Sequence, residues 1–69
     1  MVFYGGEIMN RIKQLRKKQK LTQKELAEMA EIDQSDLSKI ENDRKSITLD
    51  TAKKISRALG HSIEYIWPD

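Results

Sequence analysis

Apolar residues along this chain recur at spacings of three and four, and no stretch alternates apolar with polar as a half-buried strand would. Ile8, Ile12 and Leu15 fall on one face of a helix running to about Lys18. Leu21 opens the next unit. Thr22 is a favourable N-cap and Glu25, three residues on, completes a capping box that satisfies two backbone donors. The helix from Gln23 carries Leu26, Ala27 and Ala30 inward. Asp33 is the next N-cap, with Asp36 in the capping-box position but one methylene shorter than Glu, and Leu37 and Ile40 follow on the buried side. Ile47 and Leu49 read as anchors around the segment NDRKSIT. Thr48 or Asp50 caps a fourth helix striped by Ala52, Ile55 and Leu59, and Gly60 is its left-handed stop. Ser62 caps a last turn or two with Ile63 and Ile66 inward, ended by Pro68. The pattern predicts an all-α fold, a compact five-helix bundle without strands.

Only Glu31 and Ile32 separate the second helix from the third. So short a link cannot continue collinearly, and a buried Ile32 pulls the turn against both helices, as in a helix-turn-helix. The third helix, DQSDLSKIEN, turns only Leu37 and Ile40 inward. Its outer face offers Gln34, Ser35, Ser38 and Lys39, a set able to tell base edges apart: Gln bonds adenine at two points, Lys donates to guanine, and Ser serves several edges. Thr22 and Gln23 stand at the start of the preceding helix, where free backbone donors and the positive dipole end favour a phosphate. Asn42, Arg44, Lys45 and Ser46 follow the third helix, placed to touch phosphates on the next stretch of backbone. Taken singly, these groups also read as solvated surface; gathered in one motif they point to duplex DNA.

Composition narrows the alternatives. At 69 residues the chain is one small domain, near the size at which a single core only just outweighs chain entropy. It has no cysteine and one histidine, which excludes disulfides, thiolate metal sites and metal or haem sites built on several imidazoles. No metal and no cofactor are expected. His61, next to Gly60, reads as an exposed loop residue. With no glycine-rich phosphate loop and its acids on helix faces, the chain is not expected to be an enzyme. No apolar run approaches a membrane span and the N-terminus lacks signal-peptide character, so the expectation is a soluble, cytoplasmic, nucleoid-associated protein. A net charge of +2 argues weakly for a polyanionic partner. Its distribution says more: Arg11, Lys13, Arg16, Lys17, Lys18 and Lys20 crowd one segment, Lys39, Arg44 and Lys45 surround the third helix, and Glu25, Glu28 and Glu31 gather elsewhere.

From Ile8 to Trp67 the sequence resembles the phage-repressor and Cro-type helix-turn-helix family, also called the XRE family. The resemblance rests on LTQKELAEMAEIDQSDLSKIEN, flanked in order by LRKKQK, LDTAKKISRALG and SIEYIW. It implies the lambda-repressor-like five-helix fold, the second and third helices forming the helix-turn-helix. It also implies sequence-specific binding to duplex DNA, usually as a dimer that regulates transcription. Carried over position by position, it makes Gln34, Ser35 and Lys39 base readers. Gln23 becomes a backbone contact that also braces Gln34, and Arg16 with Glu41 a partly buried bridge between the first and third helices. Three departures stand out. Glu31 replaces a frequent Gly, so either it tolerates a left-handed backbone or the turn differs. Asp43 and Ile47 replace a frequent Gly and Pro, leaving the path of the loop open. Asp36 either caps its helix or accepts a bond from cytosine N4; in both cases it lowers non-specific affinity.

The expected organisation is an N-terminal arm, residues 1–7, and a DNA-binding domain, residues 8–69, with the recognition helix at about 34–42. In the arm, Met9 is a candidate internal start, because Gly-Gly-Glu is what a purine-rich ribosome-binding site would encode; alternatively Val2, Phe3 and Tyr4 pack on the domain or pair with a second chain. Tyr65, Ile66 and Trp67 either close the core or form a two-fold interface, and a homodimer would read a pseudo-palindromic operator. The expected function is thus a repressor-like, sequence-specific transcriptional regulator without a membrane segment or a separate ligand-sensing module. The second reading is an antitoxin or protein-interaction module of the same fold, with a protein partner.

Overall fold

The computed structural model describes residues 2–3, 10–42 and 47–68. In chain order the elements are β1 (Val2–Phe3), α1 (Ile12–Lys18), α2 (Gln23–Ala30), α3 (Gln34–Glu41), β2 (Ile47–Thr48), α4 (Leu49–Leu59) and α5 (Ile63–Ile66). All five expected helices are present, four of them where the periodicity puts them and α1 with a later start. The two strands correct the strand-free expectation: β1 and β2 pair antiparallel, Val2 opposite Thr48 and Phe3 opposite Ile47. A two-residue strand is too short to display alternation, so this pairing leaves no periodic trace. The backbone at Val2 and Phe3 therefore lies along a strand of its own chain. Tyr4, Ile8 and Met9 lie outside the described residues.

Helix α1 begins at Ile12, later than the apolar spacing from Ile8 suggests. Asn10 sets that start, its Oδ1 accepting from the Ile12 amide at 3.1 Å. The helix ends in a left-handed residue, Lys20, with φ of 60°, after which the Leu21 amide donates to the Arg16 carbonyl at 2.9 Å.

Helix α2 carries the full capping box: the Glu25 amide donates to Thr22 Oγ1 at 3.1 Å and the Thr22 amide to Glu25 Oε1 at 2.8 Å. It ends in the same manner as α1. Glu31 adopts φ of 58° and ψ of 44°, and the Ile32 amide donates to the Ala27 carbonyl at 3.0 Å. Of the two alternatives for Glu31, the left-handed backbone is the one adopted. Thr48, rather than Asp50, caps α4, accepting from the Thr51 amide at 3.3 Å, and Gly60 is the left-handed stop. Ser62 caps α5.

The core draws on every helix: Ile12 and Leu15 of α1, Leu26, Ala27 and Ala30 of α2, Leu37 and Ile40 of α3, and Ala52, Ile55 and Leu59 of α4. Ile47 joins them, and Ile66 and Trp67 close one end. Leu49, expected to be an anchor beside Ile47, is instead exposed at the start of α4. Leu21, Ile32 and Ile63 pack against the rim, so Ile32 does draw the turn onto the core. Among the described residues no helix is long and apolar enough to cross a membrane.

Candidate nucleic-acid interface

Helix α3 divides as its sequence suggests. Leu37 and Ile40 are buried; Gln34, Ser35 and Lys39 are exposed and Ser38 is half-buried. Its N-terminus differs from that of α2. Asp33 has the extended backbone of an N-cap, with ψ of 142°, but its carboxylate makes no cap hydrogen bond. The expected side-chain cap is therefore absent at Asp33, and Asp36 is half-buried in the first turn.

The other end of α3 is held by three residues from outside it. Arg16 grips Glu41 with two bonds, Nε to Oε2 at 2.9 Å and Nη2 to Oε1 at 3.3 Å, and its Nη1 donates to the Leu21 carbonyl at 2.9 Å. The two side chains are only 11% and 2% exposed, so this is a buried fork in which each charge needs the other. Gln23 Nε2 donates to the same Glu41, at Oε1 and 3.2 Å. The expected brace from Gln23 thus runs to Glu41 and not to Gln34, and it ties the start of α2 to the end of α3. Asn10 completes the set, its Nδ2 donating to the Ile40 carbonyl at 2.9 Å. Sequence reasoning missed Asn10 in this role. Its one local signal was an Asn two residues ahead of Ile12, which suggests a turn and not a tie to residue 40.

The expected phosphate-contacting residues are divided in their setting. Thr22 is exposed, with its hydroxyl engaged in the capping box, and Gln23 is half-buried on Glu41. The two hydrogen bonds to Thr22, from its backbone amide first and its side chain second, hold the Glu25 carboxyl below its ordinary range. Asn42 is exposed, and its Nδ2 donates to the Ser38 carbonyl at 2.8 Å. Arg44, Lys45 and Ser46, like Asp43, lie outside the described residues.

In and after α5, the three candidates for a two-fold contact separate. Ile66 is fully buried and Trp67 only 9% exposed, so both serve the core of their own chain, while Tyr65 is 45% exposed. Arg11 lies over the Tyr65 ring at 4.4 Å from its centroid, and His61 stacks against the ring at 5.0 Å. Among the described residues no group of three or more His, Cys, Asp or Glu is placed to hold a metal ion.

Residues 12–66 match the family model described as Helix-turn-helix. The chain belongs to the phage-repressor and Cro-type helix-turn-helix family. It is similar to the immunity repressor protein of Bacillus phage phi105, 45% identical over 56 residues. That match covers 81% of this chain and 39% of the repressor, so the chain spans well under half the length of this relative. Among solved members of the family it is similar to the N-terminal DNA-binding domain of SinR from Bacillus subtilis. The TM-score is 0.76 and the identity 35%, with 81% of this chain and 83% of that one covered. It is equally similar to SinR, the master regulator for biofilm formation, in complex with DNA, at a TM-score of 0.77 and 35% identity over 81% of this chain and 90% of that one.

Proposed function

We propose that this protein is a sequence-specific DNA-binding regulator of transcription, repressor-like and without catalytic activity, that reads the major groove with α3. One observation carries the reading. The outer face of α3 presents Gln34, Ser35 and Lys39 to solvent while four groups outside it, or at its end, are spent on holding the helix still. A rigid helix with an unspent, base-competent face is what direct readout requires. The phage repressor and DNA-bound SinR, as relatives, support the same reading.

In this scheme Gln34, Ser35, Ser38 and Lys39 contact base edges. Thr22, Gln23, Asn42, Arg44, Lys45 and Ser46 contact phosphates and set the register. A homodimer would place two α3 helices about one helical turn of DNA apart, on a pseudo-palindromic operator. Tyr65 is the α5 side chain available for the two-fold contact, because Ile66 and Trp67 are consumed by the core. The site of action is the cytoplasm, on nucleoid DNA.

Selection of bound duplexes from a random library, at low and near-physiological salt, tests this. The expected result is a pseudo-palindrome enriched at both salts, with Gln34→Ala and Lys39→Ala each relaxing the preference at particular positions by about 1–3 kcal/mol. Binding without any motif, confined to low salt, would instead favour the protein-interaction reading.

A further inference from the structure

Beside the C-terminal end of α3 lies a cleft of about 370 Å³ between that end and α1, lined by Asn10, Lys13, Gln14, Lys17, Glu41 and Asn42. Its surroundings should be negative, since a helix C-terminus and a carboxylate both meet there. Part of that negative character is offset by bonded partners. Glu41 is held by the Arg16 fork. The Ile40 carbonyl accepts from Asn10 Nδ2, and the Ser38 carbonyl from Asn42 Nδ2. The two lysines are not cancelled: Lys13 and Lys17, one turn apart on α1, are both exposed, and among the described residues neither is in an ion pair.

We infer that this cleft binds a backbone phosphate of the DNA, with Lys13 and Lys17 as the charges that hold it. This rests on the proposed DNA-reading function and extends it from the helix-turn-helix onto α1. The cleft adjoins Asn42, at the exit of the recognition helix, so a strand whose bases are read by α3 and whose backbone passes Asn42 continues toward it. Two ammonium groups at one wall, with the carboxylate paired to Arg16 and the Ile40 carbonyl bonded by Asn10, form an anion site that carries no base information. Lys13 and Lys17 therefore contribute affinity and footprint length, and leave the sequence preference to α3.

The test is a binding titration of the full chain across a range of salt, on the selected operator and on a scrambled duplex of equal length. Wild type is compared with Lys13→Gln/Lys17→Gln, with the charge-preserving Lys13→Arg/Lys17→Arg, and with Lys53→Gln on the exposed side of α4 as a charge control. Losing two phosphate contacts should flatten the slope of log affinity against log salt by about 1.8 for the double Gln variant, weakening both duplexes by the same factor. The Arg variant should keep the wild-type slope, and Lys53→Gln should change it far less. A double Gln variant with the wild-type slope, or one no different from Lys53→Gln, overturns the inference while leaving DNA reading intact. Absence of duplex binding by wild type itself overturns both. Thermal melts of the variants confirm that exposed substitutions have left the fold in place.

Discussion

Helices α2 and α3 are each eight residues long and sit side by side in the motif, yet they are held by different means. α2 is closed by its own sequence, with a complete capping box at one end and a left-handed stop at the other. α3 has no side-chain cap from Asp33, and is fixed at its far end by Arg16, Gln23 and Asn10, which come from or precede other helices. The contrast follows from the division of labour. A helix whose polar face is left free, as the proposed DNA reading requires, cannot also spend that face on self-stabilisation, so its orientation is supplied from behind. Leu37 and Ile40 hold it to the core, and the fork on Glu41 fixes its angle.

Breaking the fork should show the largest effect. Glu41→Ala leaves the Arg16 guanidinium buried without its counter-charge and removes the acceptor for Gln23, with an expected loss of about 3–5 kcal/mol in chemical denaturation. A loss below about 1 kcal/mol would mean that α3 is held by its apolar face alone.

The local side of the comparison is tested by Thr22→Ala, which removes the α2 cap and should cost about 1 kcal/mol. Its pH dependence has a defined sign. The folded-state carboxyl of Glu25 lies below its ordinary value of 4.5, so its contribution is present above that value and is lost as pH falls through the lowered one. The gap in melting temperature between wild type and Glu25→Gln, which cannot ionise, should therefore narrow in acid.

A third substitution moves the other way. Glu31 holds a left-handed backbone that glycine adopts without steric penalty, so Glu31→Gly should stabilise the protein by about 0.5–1 kcal/mol, read as a raised melting temperature. A fall instead would show that the Glu31 side chain contributes more than its backbone costs.

The smallest effects belong to the outer part of α3. Asp33→Ala, at a cap position with no cap bond, and Gln34→Ala, on the exposed face, should each change stability by less than about 0.5 kcal/mol. Asp33→Ala would then sit well below Thr22→Ala, and the two N-termini would be energetically distinct despite similar backbone geometry. For Gln34→Ala, an unchanged melt beside altered DNA preference separates reading from folding.

How much of this could be read in advance depends on the range of the interaction. The α2 capping box, the Gly60 stop, the Ser62 cap and the inward stripes of α2 and α4 were all visible, because each is decided within four residues of the chain. The Arg16 and Glu41 pairing came from the family resemblance and not from spacing. Missed were the tie from Asn10 and the form of the N-terminal contact: packing of Val2 and Phe3 on their own domain was one alternative, but not as a strand paired with Thr48 and Ile47. The redirection of Gln23 from Gln34 to Glu41, the exposure of Leu49 and the unused cap at Asp33 also departed from expectation. Ile66 was already expected inward, whereas Tyr65 and Trp67 stood as equivalent candidates until burial separated them, since that difference is set only once the rest of the core is in place.

By itself, the sequence determined the helices, their ends and the polar character of the face that α3 turns outward, because periodicity and capping chemistry act over one or two turns. Only the tertiary structure decided how α3 is held. The bonds from its three external partners span 30, 25 and 18 residues of chain. No local pattern encodes which distant donor reaches a given carbonyl or carboxylate. That pairing arises when apolar burial brings α1, α2 and α3 together and leaves their buried polar groups with one another as partners.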